Sequence, residues 1–84
     1  MQMHTIDGVV MDYRRHPLAD AVVLIESGTG RAPDIAAITD PNGEFSFFDV
    51  EAGVYRIKAI YGNLEAYATV RVNTAPAYVE ITIR

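Results

Sequence analysis

With 84 residues and no cysteine, the chain can form one domain, over 1–84, with a modest core and neither disulfides nor thiolate metal sites to support it. Seven Lys and Arg against eleven Asp and Glu give a net charge of −4, which repels phosphate backbones and excludes nucleic acid as the expected partner. Half the residues are apolar, yet runs such as Ala21–Ile25 are far too short to cross a bilayer, so no membrane insertion is expected.

The opening Met1-Gln2-Met3-His4 lacks the basic head and apolar stretch of a secretion signal, so the chain as written reads as cytoplasmic. Within a longer or otherwise exported protein it would be extracellular or associated with a secretion apparatus. Alternating or β-branched segments then recur at the spacing of a sandwich. The first strand is expected over Thr5–Met11, and His16-Pro17 marks the connection to a second over Ala21–Glu26. A looser loop, Ser27–Pro33, leads to a short strand over Ala36–Thr39. The run Thr39-Asp40-Pro41-Asn42-Gly43-Glu44-Phe45-Ser46-Phe47 writes a tight hairpin turn and the strand that leaves it. Pro41 presets φ, while Asp40, Asn42 and Gly43 define the bend. Strands over Glu44–Phe48, Val54–Tyr61, Tyr67–Val72 and Tyr78–Ile83 follow, punctuated by Gly53, Gly62-Asn63 and Asn73-Thr74-Ala75-Pro76. The stretch Asn63–Ala68 is too short and uncapped to nucleate a helix alone. The expected fold is all-β, a seven-stranded antiparallel Greek-key sandwich.

Because successive side chains of a strand point to opposite sides, alternation assigns the faces. The core set is Ile6, Gly8, Val10, Ala21, Val23, Ile25, Phe45, Phe47, Tyr55, Ile57, Ala59, Ala68, Val70, Val72, Val79, Ile81 and Ile83. The opposite positions of the last strand, Tyr78, Glu80, Thr82 and Arg84, are polar or amphipathic. The first two strands break that rule, because Val9, Met11, Val22 and Leu24 face away from the expected core. Such a stripe marks a docking surface for a protein partner or a second copy. The competing readings are a loop or N-terminal arm lying over it, or the two faces exchanged by a one-residue slip.

Catalytic chemistry is hard to find. The chain has no Cys nucleophile and no Gly-x-Ser-x-Gly turn, and His4 and His16 are the only neutral-pH proton carriers. His16 sits in a turn beside Pro17. His4 would gain a copper- or nickel-binding role only if Met1 were removed, which Gln2 disfavours. Asp34, Asp40, Asn42 and Glu44 cluster around turns without the spacing that wraps oxygens around calcium, and Asp40 and Asn42 read as turn formers bonding their own backbone. No metal site and no cofactor is assigned. Arg14-Arg15-His16 reads as a solvated turn. Tyr61, Tyr67 and Tyr78 could stack against sugar rings only if the fold gathered them on one face, which keeps carbohydrate or cell-surface binding as the alternative function.

The segments Ile6-x-Gly8-x-Val10-x-Asp12, Pro17-Leu18-Ala19-x-Ala21-x-Val23-x-Ile25, Thr39-Asp40-x-Asn42-Gly43-x-Phe45-x-Phe47 and Gly53-x-Tyr55-x-Ile57 resemble the carboxypeptidase regulatory-like domain. That family is a transthyretin-like (prealbumin-like) β-sandwich, also described as immunoglobulin-like. The resemblance covers nearly the whole chain and implies a non-catalytic module appended to peptidases, outer-membrane receptors, adhesins or secretion-system spikes, where it docks partners or stabilises neighbours. Two family glycines are replaced here, by Arg15 and Asp20. The same superfamily contains the transthyretin-related hydrolase of urate breakdown, with an early catalytic His, a mid-chain Arg and a Tyr-Arg-Gly-Ser ending. This chain offers His4 and Arg56 but ends Ile81-Thr82-Ile83-Arg84, so the resemblance points to an adaptor, not to an enzyme.

Overall fold

The computed structural model describes residues 3–73 and 76–84. They form seven strands and no helix: β1 (His4–Asp12), β2 (Val22–Gly28), β3 (Ala37–Ile38), β4 (Glu44–Val50), β5 (Gly53–Tyr61), β6 (Leu64–Val72) and β7 (Ala77–Ile83). Three of them make one sheet in the order β4-β1-β7, and four make the other in the order β3-β2-β5-β6. The chain is thus the expected two-sheet sandwich. One ladder departs from the antiparallel rule, since β1 and β7 run parallel from Ile6↔Ala77 to Asp12↔Ile83. The reason lies in the connection: β6 belongs to the opposite sheet, so the chain crosses over after it and lands beside β1 in the same direction.

The core is filled by alternate residues of both sheets. Ile6, Val10, Phe47, Val50, Ile81 and Ile83 pack from one side against Val23, Tyr55, Ile57, Ala59 and Val72 from the other. Phe45 and Phe47 meet edge to face with ring centroids 5.8 Å apart, the geometry their quadrupoles favour. Ile25 and Ala68, expected inside, are partly covered and pack against the core's margin. Val50 and Ala77 join it, two residues and one residue beyond the expected strand limits. Helical character over 63–68 is absent. Gly62, at φ 62°, and Asn63 instead form a two-residue loop with Tyr61 paired to Leu64, and Gly at the first loop position suits the twist of a tight hairpin.

The run at Thr39 is a corner rather than a hairpin, because β3 and β4 lie in different sheets. Thr39 is buried, and its hydroxyl donates to the Leu18 carbonyl at 2.6 Å while accepting from the Ala21 N–H at 2.8 Å. With the strand end pinned in this way, the next four residues turn the chain across to β4. Asp40 organises them: Gly43 N–H donates to its carbonyl (2.8 Å), its own N–H reaches Glu44 O (3.1 Å), and its Oδ1 accepts from Asn42 and Glu44 N–H (both 2.9 Å). Gly43 is at φ 74°.

The turn after β1 repeats this arrangement with a different sequence. Arg15 N–H donates to Asp12 O (3.0 Å), Asp12 N–H reaches His16 O (2.9 Å), and Asp12 Oδ1 accepts from Arg14 (2.8 Å) and His16 (2.9 Å). The His16 N–H does most to hold the Asp12 carboxyl below its ordinary pKa, burial opposes it, and the Arg14 N–H adds to the lowering. Arg15 stands where the other turn has Gly43, at φ 66°, and Asp20 is held at φ 63°. The replaced glycines therefore leave the turns in left-handed geometry, at a steric cost of about 1–2 kcal/mol for a residue with a Cβ. Arg15→Gly is expected to stabilise the domain by roughly 0.5–1 kcal/mol, after the larger unfolded-state entropy of glycine is subtracted. A thermal melt should read this as a rise of a few degrees in Tm, with a smaller rise for Asp20→Gly because Asp tolerates this region better. An unchanged or lowered Tm for Arg15→Gly would contradict it.

Candidate interaction surfaces

The two-sheet architecture divides the stripe expected from sequence. Val9 and Met11 lie on β1, in the three-stranded sheet, and Val22 and Leu24 lie on β2, in the four-stranded sheet. All four point away from the core, but from opposite sheets, so they do not share one surface. Val9 is flanked by Glu44 on β4 and Glu80 on β7, and is half-buried. Met11 is only 8% exposed and bridges to Pro17 of the following turn.

Val22 and Leu24 have different neighbours. Val22 pairs with Ile38 of β3 on one side and Ile60 of β5 on the other. Leu24 lines a shallow cleft with Pro33, Asp34 and Ile35. Around the β3 side of the sandwich these residues continue into some of the most exposed large apolar side chains of the described chain, namely Ile35 (70% exposed), Phe48 (63%), Tyr78 (62%) and Ile38 (57%). Two further clefts run along β4: one of about 500 Å³ reaches Asp7, Ile38, Glu44, Ser46, Phe48 and Tyr78, and one of about 310 Å³ lies between Phe48 and Ile35. Phe48 was legible in the sequence as the second of two adjacent aromatics, of which a strand can bury only one.

The charge is unevenly distributed. Asp7, Asp40, Glu44 and Asp49 border the β4 clefts, and among the described residues no basic side chain lines either. The outer face of the other sheet carries Arg56, paired with Glu26 at 3.3 Å, and Lys58, paired with Glu65 at 3.4 Å. The bond to Glu65 holds the Lys58 ammonium above its ordinary pKa. Arg56 also stacks over the Tyr67 ring, 4.2 Å from its centroid, so that ring face is occupied.

The arrangements needed for the other readings are not assembled. Tyr78 is on the β4-β1-β7 sheet, while Tyr61 and Tyr67 are on the β3-β2-β5-β6 sheet, so the three tyrosines form no shared platform. His4, on β1, and Arg56, on the outer face of β5, likewise belong to different sheets. Among the described residues no three His, Asp or Glu side chains converge to hold a metal ion. The amino-terminal copper or nickel arrangement depends on Met1 and Gln2, which lie outside the described residues, as do Thr74 and Ala75 of the last expected turn. No described helix is long and apolar enough to cross a membrane.

No curated protein matches the chain in sequence. Among solved structures, the chain is similar to one chain of a C-terminal interface mutant of a type II cohesin–X–dockerin complex from Acetivibrio cellulolyticus, with 25% identity and a TM-score of 0.61. That likeness covers 94% of this chain but 51% of the other, so this chain spans about half the length of its structural relative. The carboxypeptidase regulatory-like domain family matches residues 5–84, from the second residue of β1 through β7. The chain belongs to the carboxypeptidase regulatory-like domain family.

Proposed function

We propose that this domain is a non-catalytic docking module that binds a protein partner through the β3–β4 side of the sandwich. The observation that carries the reading is the gathering of Ile35, Ile38, Phe48 and Tyr78, each more than half exposed, around clefts on that one side. A strand's outer face normally sheds such side chains, and contiguous exposed apolar surface marks an interface. Covering four of them removes on the order of 300–400 Å², worth roughly 8–10 kcal/mol before association costs are subtracted. Val22 and Leu24 border this surface through Ile38 and Ile35. The structural relative, which belongs to a complex of interacting protein modules, supports a docking role.

The test is affinity capture from the source cell with the wild-type domain and with an Ile38→Lys, Phe48→Lys variant whose fold is checked by circular dichroism. Both side chains are exposed, so the fold should persist. A protein retained by wild type and lost with the variant is the expected result. Identical retention by both would defeat the reading.

A further inference from the structure

Resting on the docking role just proposed, we infer that β4 accepts an extended strand of alternating apolar and basic residues from a partner, joining the β4-β1-β7 sheet as a fourth strand. Among the described residues β4 pairs with β1 and with no other strand, so its second edge is unpaired. The bond from Val10 N–H to Gly43 O fixes the phase of the ladder. Main-chain groups of Phe45 and Phe47 therefore face β1, while those of Glu44, Ser46 and Phe48 turn to the free edge. Asp40 already satisfies the Glu44 N–H and C=O. What remains is the stretch from Ser46 to Phe48, ended by Asp49, whose φ of 59° marks the irregularity where pairing with β1 slips between Phe47 and Val50. A strand laid there would send alternate side chains to the two clefts. On one side lie Ile35, Ala36 and Ala37, which suit apolar residues. On the other lie Asp7 and Glu44 beside Phe48 and Tyr78, while Asp49 borders the first cleft at its end, and none of these three acids is in an ion pair among the described residues. That field favours lysine or arginine on the incoming strand. It also argues against a second copy, whose own β4 would bring Glu44 and Asp49 against their like in a chain of net charge −4.

The experiment titrates the ¹⁵N-labelled domain with three blocked heptapeptides: one alternating valine and lysine, one alternating valine and glutamate, and the first with alternate amides N-methylated. The valine–lysine peptide should shift the Ser46 and Phe48 amides and slow their hydrogen exchange. The glutamate peptide should bind at least tenfold more weakly, and N-methylation should abolish binding. Glu44→Lys with Asp49→Asn, the latter chosen because Asn tolerates a positive φ, should abolish most of the preference for the lysine peptide. Equal binding of all three peptides, protection at a different strand, or a dimer in light scattering that Phe48→Lys dissolves would each overturn strand addition. Should the peptides fail while partner capture still depends on Phe48, docking stands and strand addition falls. If capture is also independent of Phe48, the docking reading itself has failed.

Discussion

Replacing Gly43 by valine is expected to remove most of the protein's folding stability at ambient temperature. Two costs combine there. At φ 74° a β-branched residue is strained by roughly 1–3 kcal/mol. In addition, any Cβ would stand 2.5 Å from the Val10 carbonyl oxygen and 3.1 Å from the Leu18 N, both backbone atoms that cannot swing aside. Relieving that contact costs roughly another 1–3 kcal/mol. A small domain without disulfides sits near the lower end of the usual ~5–15 kcal/mol, so a loss of about 3–5 kcal/mol consumes most of it. Gly62 supplies the control, since it has a similar φ of 62° and nothing within 4 Å of its would-be Cβ. Gly62→Ala should cost only the conformational part, about 1 kcal/mol, and Gly43→Ala clearly more. Equal losses in urea unfolding would show that the close approach to β1 carries no energy.

Tyr55→Ala is the second large expected loss, about 3–5 kcal/mol, because the side chain is 1% exposed and fills the end of the core. Its ring packs against Gly28, where a Cβ would meet it at 2.2 Å. Its hydroxyl donates to the Glu51 carbonyl at 2.6 Å, with the Arg31 carbonyl at 3.2 Å, and so fastens the crossing from β4 to β5 to the loop after β2. The Glu51 N–H donates to Arg31 O and completes that clasp. Tyr55→Phe keeps the ring and removes the bond, which should cost about 1–2 kcal/mol. Burial, with a further contribution from the Glu51 carboxylate, raises the Tyr55 pKa above 10. The folded state thus holds this proton more tightly than the unfolded one. The associated stability is complete below about pH 10 and is lost as pH rises through the folded-state value. Denaturant midpoints should fall on alkaline titration of wild type, and fall less steeply in Tyr55→Phe. Parallel slopes would show that Tyr55 is not the group responsible.

The strands were legible because alternation and turn chemistry are local. Phe45-x-Phe47, Tyr55-x-Ile57-x-Ala59 and Val79-x-Ile81-x-Ile83 each state their buried face within a few residues. What alternation cannot state is which sheet a strand joins. Val9 and Val22 both point outward, but one is seated between Glu44 and Glu80 and the other between Ile38 and Ile60. The stripe was for that reason divided between two surfaces. The same limit made the Asp40 turn look like a hairpin, since only the contacts of Thr39 with Leu18 and Ala21, eighteen or more residues away in sequence, turn it into a crossing between sheets. Arg15 and Asp20 hid the opposite lesson. Their identities argued against the left-handed turns that the surrounding hydrogen bonds impose.

The parallel ladder between β1 and β7 has a mechanical consequence. Because the two strands run in the same direction, the start of β1 and the end of β7 lie at opposite ends of their shared ladder. Tension applied between those points pulls the strands past each other lengthwise. The bonds from Ile6↔Ala77 to Asp12↔Ile83 are then loaded together in shear, where an antiparallel terminal pair pulled at its free ends would open one bond at a time, as a zipper does. Placed in series between two neighbours, such a module passes force lengthwise through seven consecutive paired positions.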